Sequence, residues 1–267
     1  MPAAYEFDAL VPATYDRLLV PHIFVPYADD LVARLIRFAP DTVLELAAGT
    51  GVVTRALARE LPTASIVATD LSQAMLDYAS SMGTARPVAW QQADAMQLPF
   101  DDGQFDAVVC EFGAMFFPDR RVAFAEAARV LRAGGVFIFN VWDSLDNNEI
   151  PDAITDALRV FLDDASANFW STPYGYHDES AIRADLASAF DAVEVDWVEA
   201  RSRAESPEDA AIGFCQGTPA RKLIEERRPG ALEDATAAAT AAIAARFGAT
   251  NIDGKIRALV VTARKAG

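Results

Sequence analysis

The residues with the most chemistry to offer lie in three short stretches of the first half. Glu45-Leu46-Ala47-Ala48-Gly49-Thr50-Gly51 joins the apolar stretch 42–47 to residues 51–61, whose apolar positions recur at helical spacing. A tight turn of small residues between a parallel strand and a helix points backbone N–H groups at the carboxyl edge of a sheet, where open α/β sheets bind ligands. The spacing is small-x-Gly-x-Gly and not GxGxxG, and Glu45 precedes the first small position by two residues. A carboxylate at that mouth opposes a pyrophosphate and suits a cation. Asp70 closes a second apolar strand in Ala68-Thr69-Asp70-Leu71-Ser72, where an acid can accept both hydroxyls of a ribose. After a third strand comes Gln92-Ala93-Asp94-Ala95-Met96. Asp94 is placed to accept from an exocyclic adenine amine and the Ala95 N–H to meet a ring nitrogen, with Leu71 and Met96 against the purine faces. In chain order the stretches suit a positive, amine-bearing tail, a ribose and an adenine. Blander roles stand beside these: Glu45 as a solvated strand end, and Asp70 as a helix cap, although Ser72 offers that cap itself.

Such residues need a parallel sheet to hold them, and the pattern supplies one. Short apolar strands are expected at 42–47, 65–69, 88–91, 105–110 and 136–142, with helices at 51–61, 73–81 and 121–132 between them. Near-continuous apolar strands alternating with amphipathic helices indicate a doubly covered parallel sheet, an α/β fold. Helices at 14–19 and 27–38 precede it and end at Ala39-Pro40-Asp41. The second half predicts helices at 152–164 and 179–190 and a half-wet strand at 192–198. Three helices follow between residues 206 and 247, opened by the cap Ser206-Pro207-Glu208-Asp209, and then a buried strand at 256–263. The expected organisation is an N-terminal helical cap at 1–40, a core at 41–205, a helical lid at 206–249 and a last core strand at 250–267.

Residues 43–143 resemble the class I S-adenosylmethionine-dependent methyltransferases, in the small-molecule branch called methyltransferase type 11. The resemblance rests on VLELAAGTG at 43–51, Asp70, Ala93-Asp94-Ala95-Met96, FDAVVCEFGAMFFPD at 105–119 and LRAGGVFIFNVWD at 131–143. It implies S-adenosyl-L-methionine as cofactor, a small-molecule acceptor, and a Rossmann-like sheet of order 3-2-1-4-5-7-6 with 256–263 as its antiparallel strand. It also implies cofactor contacts from Glu45, Ala47, Gly49, Thr50 and Gly51 of the turn, from Asp70, Leu71 and Met75, and from Asp94, Ala95 and Met96. Glu111 and Phe112 end the fourth strand on the methionine side, and Tyr15 belongs to helices that fold over the cofactor. Ala47 stands where the family has its first glycine. Alanine does not take a positive φ cheaply, so an extended backbone is expected there.

Methyl transfer to a hydroxyl or an amine benefits from a base near working pH. Only two histidines exist, and His177, in Pro173-Tyr174-Gly175-Tyr176-His177-Asp178, is the catalytic candidate; its plainer role is a polar neighbour of the Asp178 helix cap. Phe116, Trp142, Phe214 and Gln216 are the candidate substrate residues, with Phe117, Phe169 and Trp170 as further aromatics, some of them core. Tyr27, like Tyr15, belongs to the helices that in this family fold over the cofactor, with packing as the plainer role of both, while His22 and Cys110 read as structural residues. Cys110 and Cys215 form no CxxC and have no histidine beside them, which argues against a metal site or disulfide scaffold and fits a reducing cytoplasm. Acids outnumber bases 39 to 23, in both halves of the chain, which disfavours nucleic acid and anionic membranes as partners. No signal peptide or spanning segment is apparent. A monomer or homodimer acting on a small molecule is expected. The competing readings are an NAD-dependent Rossmann oxidoreductase, whose ribose Asp70 would serve equally, and a non-catalytic binder of S-adenosylmethionine.

Overall fold

The computed structural model describes residues 11–162 and 171–267. Among these, seven strands form one sheet: β1 Thr42–Leu46, β2 Ser65–Asp70, β3 Ala89–Gln92, β4 Phe105–Glu111, β5 Leu131–Trp142, β6 Ala192–Ala204 and β7 Ile252–Arg264. Their order is β3-β2-β1-β4-β5-β7-β6, as the resemblance implied. Pairings are parallel from β3 to β5, and β7 runs antiparallel to both β5 and β6.

Eleven described helices surround the sheet. Helices α1 Val11–Leu18 and α2 Val25–Leu35 form the cap, joined by a π-helical turn. Helices α3 Val52–Glu60, α4 Gln73–Ser81 and α5 Arg120–Val130 alternate with strands; α6 Glu149–Leu158, α7 Ser171–Tyr174 and α8 Glu179–Leu186 precede β6. Helices α9 Pro207–Gln216, α10 Ala220–Arg227 and α11 Leu232–Phe247 lie between β6 and β7. No described helix is long and apolar enough to cross a membrane. Ser206 caps α9 by accepting from the Asp209 N–H, and Asp178 caps α8 in the same way.

Side chains alternate across the strands and divide the core in two. Leu44, Leu46, Val108, Cys110, Phe137 and Phe139 face one core, shared with α5, α6 and the helices of the insert. Val43, Val109, Val136 and Ile138 face the other, against α2 and α3. By that alternation Glu45, Glu111 and Asn140 continue the second set of rows to the carboxyl edge, so the α2–α3 side ends in polar groups. The insert is built into the first core: Phe214, Cys215, Ala239 and Ile243 are buried with it.

Several boundaries differ from the sequence expectation. β6 and β7 are thirteen residues each and pair along their whole length, through Ala204 and Ile252. Their outer ends carry charges that the periodicity counts as loop, and Arg201 donates to Asp253 at 2.7 Å across the ribbon. The helix expected to continue to Arg132 stops at Val130, because β5 begins at Leu131 and shifts register there. The helix expected at 152–164 occupies Glu149–Leu158.

Candidate functional site

The turn after β1 is drawn tight by its neighbours. The Ala48 N–H donates to the Thr69 carbonyl at 2.9 Å and the Gly51 N–H to the Ala48 carbonyl at 2.8 Å. Gly49 and Gly51 have positive φ, and so does Ala47, at 53°. The extended backbone expected at Ala47 is therefore wrong. The reason lies across the crevice: Gly113 leaves room for the Ala47 methyl, since a Cβ on Gly113 would sit 2.5 Å from it.

Asp70 is not the helix cap, and both of its oxygens are engaged by backbone. Its Oδ2 accepts from the Gly49 N–H and its Oδ1 from the Ser72 N–H, both at 2.8 Å, while the Ser72 hydroxyl caps α4 through the Met75 N–H. Burial raises the Asp70 pKa, and the backbone donors from Ser72 and Gly49 oppose that rise. Each carboxylate oxygen still has a second lone pair for a ligand. Glu45 is not solvated; it is fully buried and accepts from the Thr54 hydroxyl at 2.5 Å. Burial lifts its pKa to about 8. At the adenine end, Asp94 turns one oxygen onto its own loop, accepting from the Met96 N–H at 2.8 Å. Leu71 stands exposed, Ala95 and Met96 are half-buried, and Met75 is buried on the inner face of α4.

The carboxyl ends of β4 and β5 are arranged differently. Glu111 Oε1 is enclosed without a hydrogen-bond partner, and so are Asn140 Nδ2 and the Thr50 hydroxyl. Burial, then the nearby Glu45 charge, push the Glu111 pKa far up. Asn140 Oδ1 accepts the Phe112 N–H at 2.8 Å, which fixes Phe112 at a φ of 47°. The Phe112 ring then stacks on Trp142, centroids 3.6 Å apart and planes 9° apart. Tyr27 meets both rings edge-on at 5.2 and 5.4 Å, and its hydroxyl finds the Val198 carbonyl. Tyr15, on α1, stacks on Phe24 and feels the charges of Glu111 and Asp70, which with burial raise its pKa.

The other candidates are more scattered. His177 Nδ1 lies 2.7 Å from the Tyr174 carbonyl, and Tyr174 is tilted against Trp142 at 6.2 Å. Gln216 turns to α11, where it donates to the Thr236 hydroxyl at 3.2 Å; Phe214 is buried in the core and Phe116 is exposed. Phe169 and Trp170 lie outside the described residues. Sequence reasoning missed Asn140 and Thr54. Asn140 left a signal, as the one polar residue in the apolar stretch 136–142.

The crevice thus presents four acids, orphaned polar atoms and an aromatic wall, a set that fits a cationic, amine-bearing nucleoside. Residues 44–139 match the family described as "Methyltransferase domain". This segment is a class I S-adenosylmethionine-dependent methyltransferase domain, and S-adenosylmethionine is its cofactor. The methyltransferase segment is similar to a demethylmenaquinone methyltransferase of Deinococcus radiodurans, 37% identical over 138 residues, covering 50% of this chain and 57% of that protein. It is also similar to a malonyl-[acyl-carrier protein] O-methyltransferase of Hahella chejuensis, 33% identical over 135 residues, covering 51% and 47%. The chain thus spans about half the length of these relatives. The methyltransferase fold extends further than the sequence match: the YcgJ protein of Bacillus subtilis aligns over 91% of this chain and 99% of its own, with a TM-score of 0.59 at 21% identity.

Proposed function

We propose that the protein transfers a methyl group to a nucleophilic atom of a small molecule in the cytoplasm. The observation that supports this most is the edge of β4 and β5, where Glu111 Oε1 and Asn140 Nδ2 lack partners beside the stacked Phe112 and Trp142. Buried polar groups without partners are costly, and a ligand that satisfies them recovers that cost. When bound, S-adenosylmethionine supplies a methyl group already activated on a sulfonium. The protein's share is alignment and exclusion of water. Asp70 holds the ribose, Asp94 and the Ala95 N–H the adenine, and Glu45 and Glu111 balance the positive charge at the methionine end. Tyr15 and the cap cover the crevice.

The relatives are named for a quinone and for a malonyl carrier, so one domain serves different acceptors. The acceptor is accordingly chosen by the second half, where Trp142, Phe214 and the segment 171–177 lie. His177 is the base for an acceptor that must lose a proton. A carbonyl only accepts, so in the neutral ring Nδ1 donates to Tyr174 and Nε2 is left to take the proton.

Calorimetry with S-adenosylmethionine, S-adenosylhomocysteine and NAD tests the reading. The two adenosyl ligands are expected to bind, one per chain, and NAD is not. Binding of NAD alone would replace the methyltransferase reading with the oxidoreductase one.

A further inference from the structure

The roof over the crevice is held from two sides by different kinds of contact. On the core side, Asp16 of α1 accepts from Arg55 Nη2 at 3.2 Å through Oδ1 and from the Tyr78 hydroxyl at 3.4 Å through Oδ2. Arg55 Nη1 in turn donates to the Thr50 carbonyl at 2.6 Å. One carboxylate therefore ties the cap to α3 and α4 and, through Arg55, to the glycine turn. The ion pair is well shielded, with 14% of the Asp16 side chain and 28% of Arg55 exposed, so it is screened less than a surface pair. On the other side α9 lies against α1 with no room to spare. A Cβ on Gly213 would come 3.1 Å from Leu19 Cδ2 and 3.3 Å from the Leu18 carbonyl, and one on Gly217 would come 3.2 Å from the Tyr15 nitrogen.

Tyr15, on this roof, lies close enough to Glu111 and Asp70 to feel their charges, so a ligand seated on those acids meets the roof. Polar contacts exchange with water at small net cost, whereas a close-packed apolar seam does not. The side that opens is the one held by Asp16. We propose that Asp16 is a positioning residue for the cofactor: through Arg55 and Tyr78 it latches Tyr15 over the 47–51 turn, and α1 with α9 moves as one body when the latch opens. This rests on the cofactor reading above.

The test follows release of S-adenosylhomocysteine, chased with excess S-adenosylmethionine, together with trypsin cleavage after Arg17, which is exposed on α1. Asp16→Ala is expected to release the ligand about tenfold faster and to speed the Arg17 cut in the bound protein. Asp16→Asn, which keeps the shape and loses the charge, falls between. The double variant Asp16→Ala/Arg55→Ala should release more slowly than the product of the two single effects, because the two groups share one contact while Asp16 holds a second with Tyr78. Added salt should speed release from the wild type and leave Asp16→Ala unchanged. Wild-type release and wild-type cleavage in both Asp16 variants would overturn the latch, as would additive effects in the double variant. If the wild type binds neither adenosyl ligand, the cofactor reading fails, and cleavage at Arg17 in the ligand-free protein still decides the latch.

Discussion

The two ends of the crevice are built on opposite principles. At β1 and β2 the described polar groups are largely consumed by the protein: both Asp70 oxygens accept backbone N–H groups, Thr69 donates its hydroxyl to the Glu45 carbonyl, and Glu45 takes the Thr54 hydroxyl. At β4 and β5 the polar groups are enclosed and left over, with Glu111 Oε1 and Asn140 Nδ2 lacking partners. Apart from the Thr50 hydroxyl, the first end is a finished scaffold. The second carries its unsatisfied bonds and its stacked, positive-φ Phe112 into the ligand-free state, which is where functional sites tend to keep strain. A binding site therefore need not be uniformly preorganised: one end fixes the frame, and the other gains most from being filled.

The largest effect should come from breaking the finished end. Asp70→Ala removes two hydrogen bonds to a charged group, one joining the turn after β1 to β2 and one local to the start of α4. Bonds of that kind contribute about 1.5–3 kcal/mol apiece, partly offset because a buried charge goes too. A net loss of about 2 kcal/mol of ligand-free stability is expected, measured by urea denaturation, along with loss of cofactor affinity. Unchanged stability with lost affinity would mean that Asp70 serves the ligand alone, and the contrast between the two ends would weaken.

A smaller effect should come from titrating the two buried glutamates, Glu45 of the finished end and Glu111 of the unfinished one. Burial raises the pKa of Glu111 well above the ordinary range and that of Glu45 to about 8. For an acid with a raised folded-state pKa, the proton-linked stability is full below the unfolded value. It is lost as pH climbs through the folded one. The ligand-free protein should thus lose stability between about pH 4.5 and pH 8 from Glu45, and Glu111 adds to the loss as pH rises. A cationic ligand favours their ionised forms, so affinity for S-adenosylmethionine should rise over the same interval, by at most about tenfold per pH unit for each proton released. Glu111→Gln should flatten that slope in calorimetry at a series of pH values. An identical slope in the variant would remove Glu111 from the charge balance.

How much of this was legible follows the range of the forces involved. The strands and the core came through because β1, β4 and β5 bury both faces and the apolar runs advertise it, whereas the strand order came from the family resemblance. Ser206 and Asp178 came through because a cap is decided within three residues. The outer halves of β6 and β7 did not, since Arg201, Arg203 and Asp253 there face solvent and pair only across the ribbon. The acids Glu45, Asp70 and Glu111 were legible as site residues, but their partners were not. Thr54 reaches Glu45 and Gly49 reaches Asp70 through the fold, Asn140 holds the Phe112 N–H beside Glu111, and the Asp16–Arg55 latch joins residues far apart in sequence. Gln216 misled for the same reason: a bend in the chain says nothing of which neighbour, here Thr236, will claim the amide.

The smallest predicted effect concerns the residue on which sequence and structure disagree most. Ala47 holds a left-handed backbone, a conformation that costs an L-residue roughly 1–2 kcal/mol and glycine almost nothing. Glycine gains more entropy in the unfolded chain, which returns about 0.5–1 kcal/mol. Ala47→Gly should therefore stabilise the protein slightly, by about 1 kcal/mol or less, as a higher melting temperature. The partner variant sharpens the point. Gly113→Ala drives a methyl to 2.5 Å from the Ala47 Cβ and 2.7 Å from the Cys110 sulfur, and it should destabilise in proportion to that overlap. In the double variant the Ala47 clash is gone and only the sulfur contact is left, so part of the Gly113→Ala loss should be recovered. The recovery would be a coupling between the β1 turn and the β4 edge, measurable as the non-additive part of the cycle. Strict additivity would mean that the left-handed Ala47 does not depend on the space at Gly113, and that the turn after β1 holds its shape without help from the opposite end.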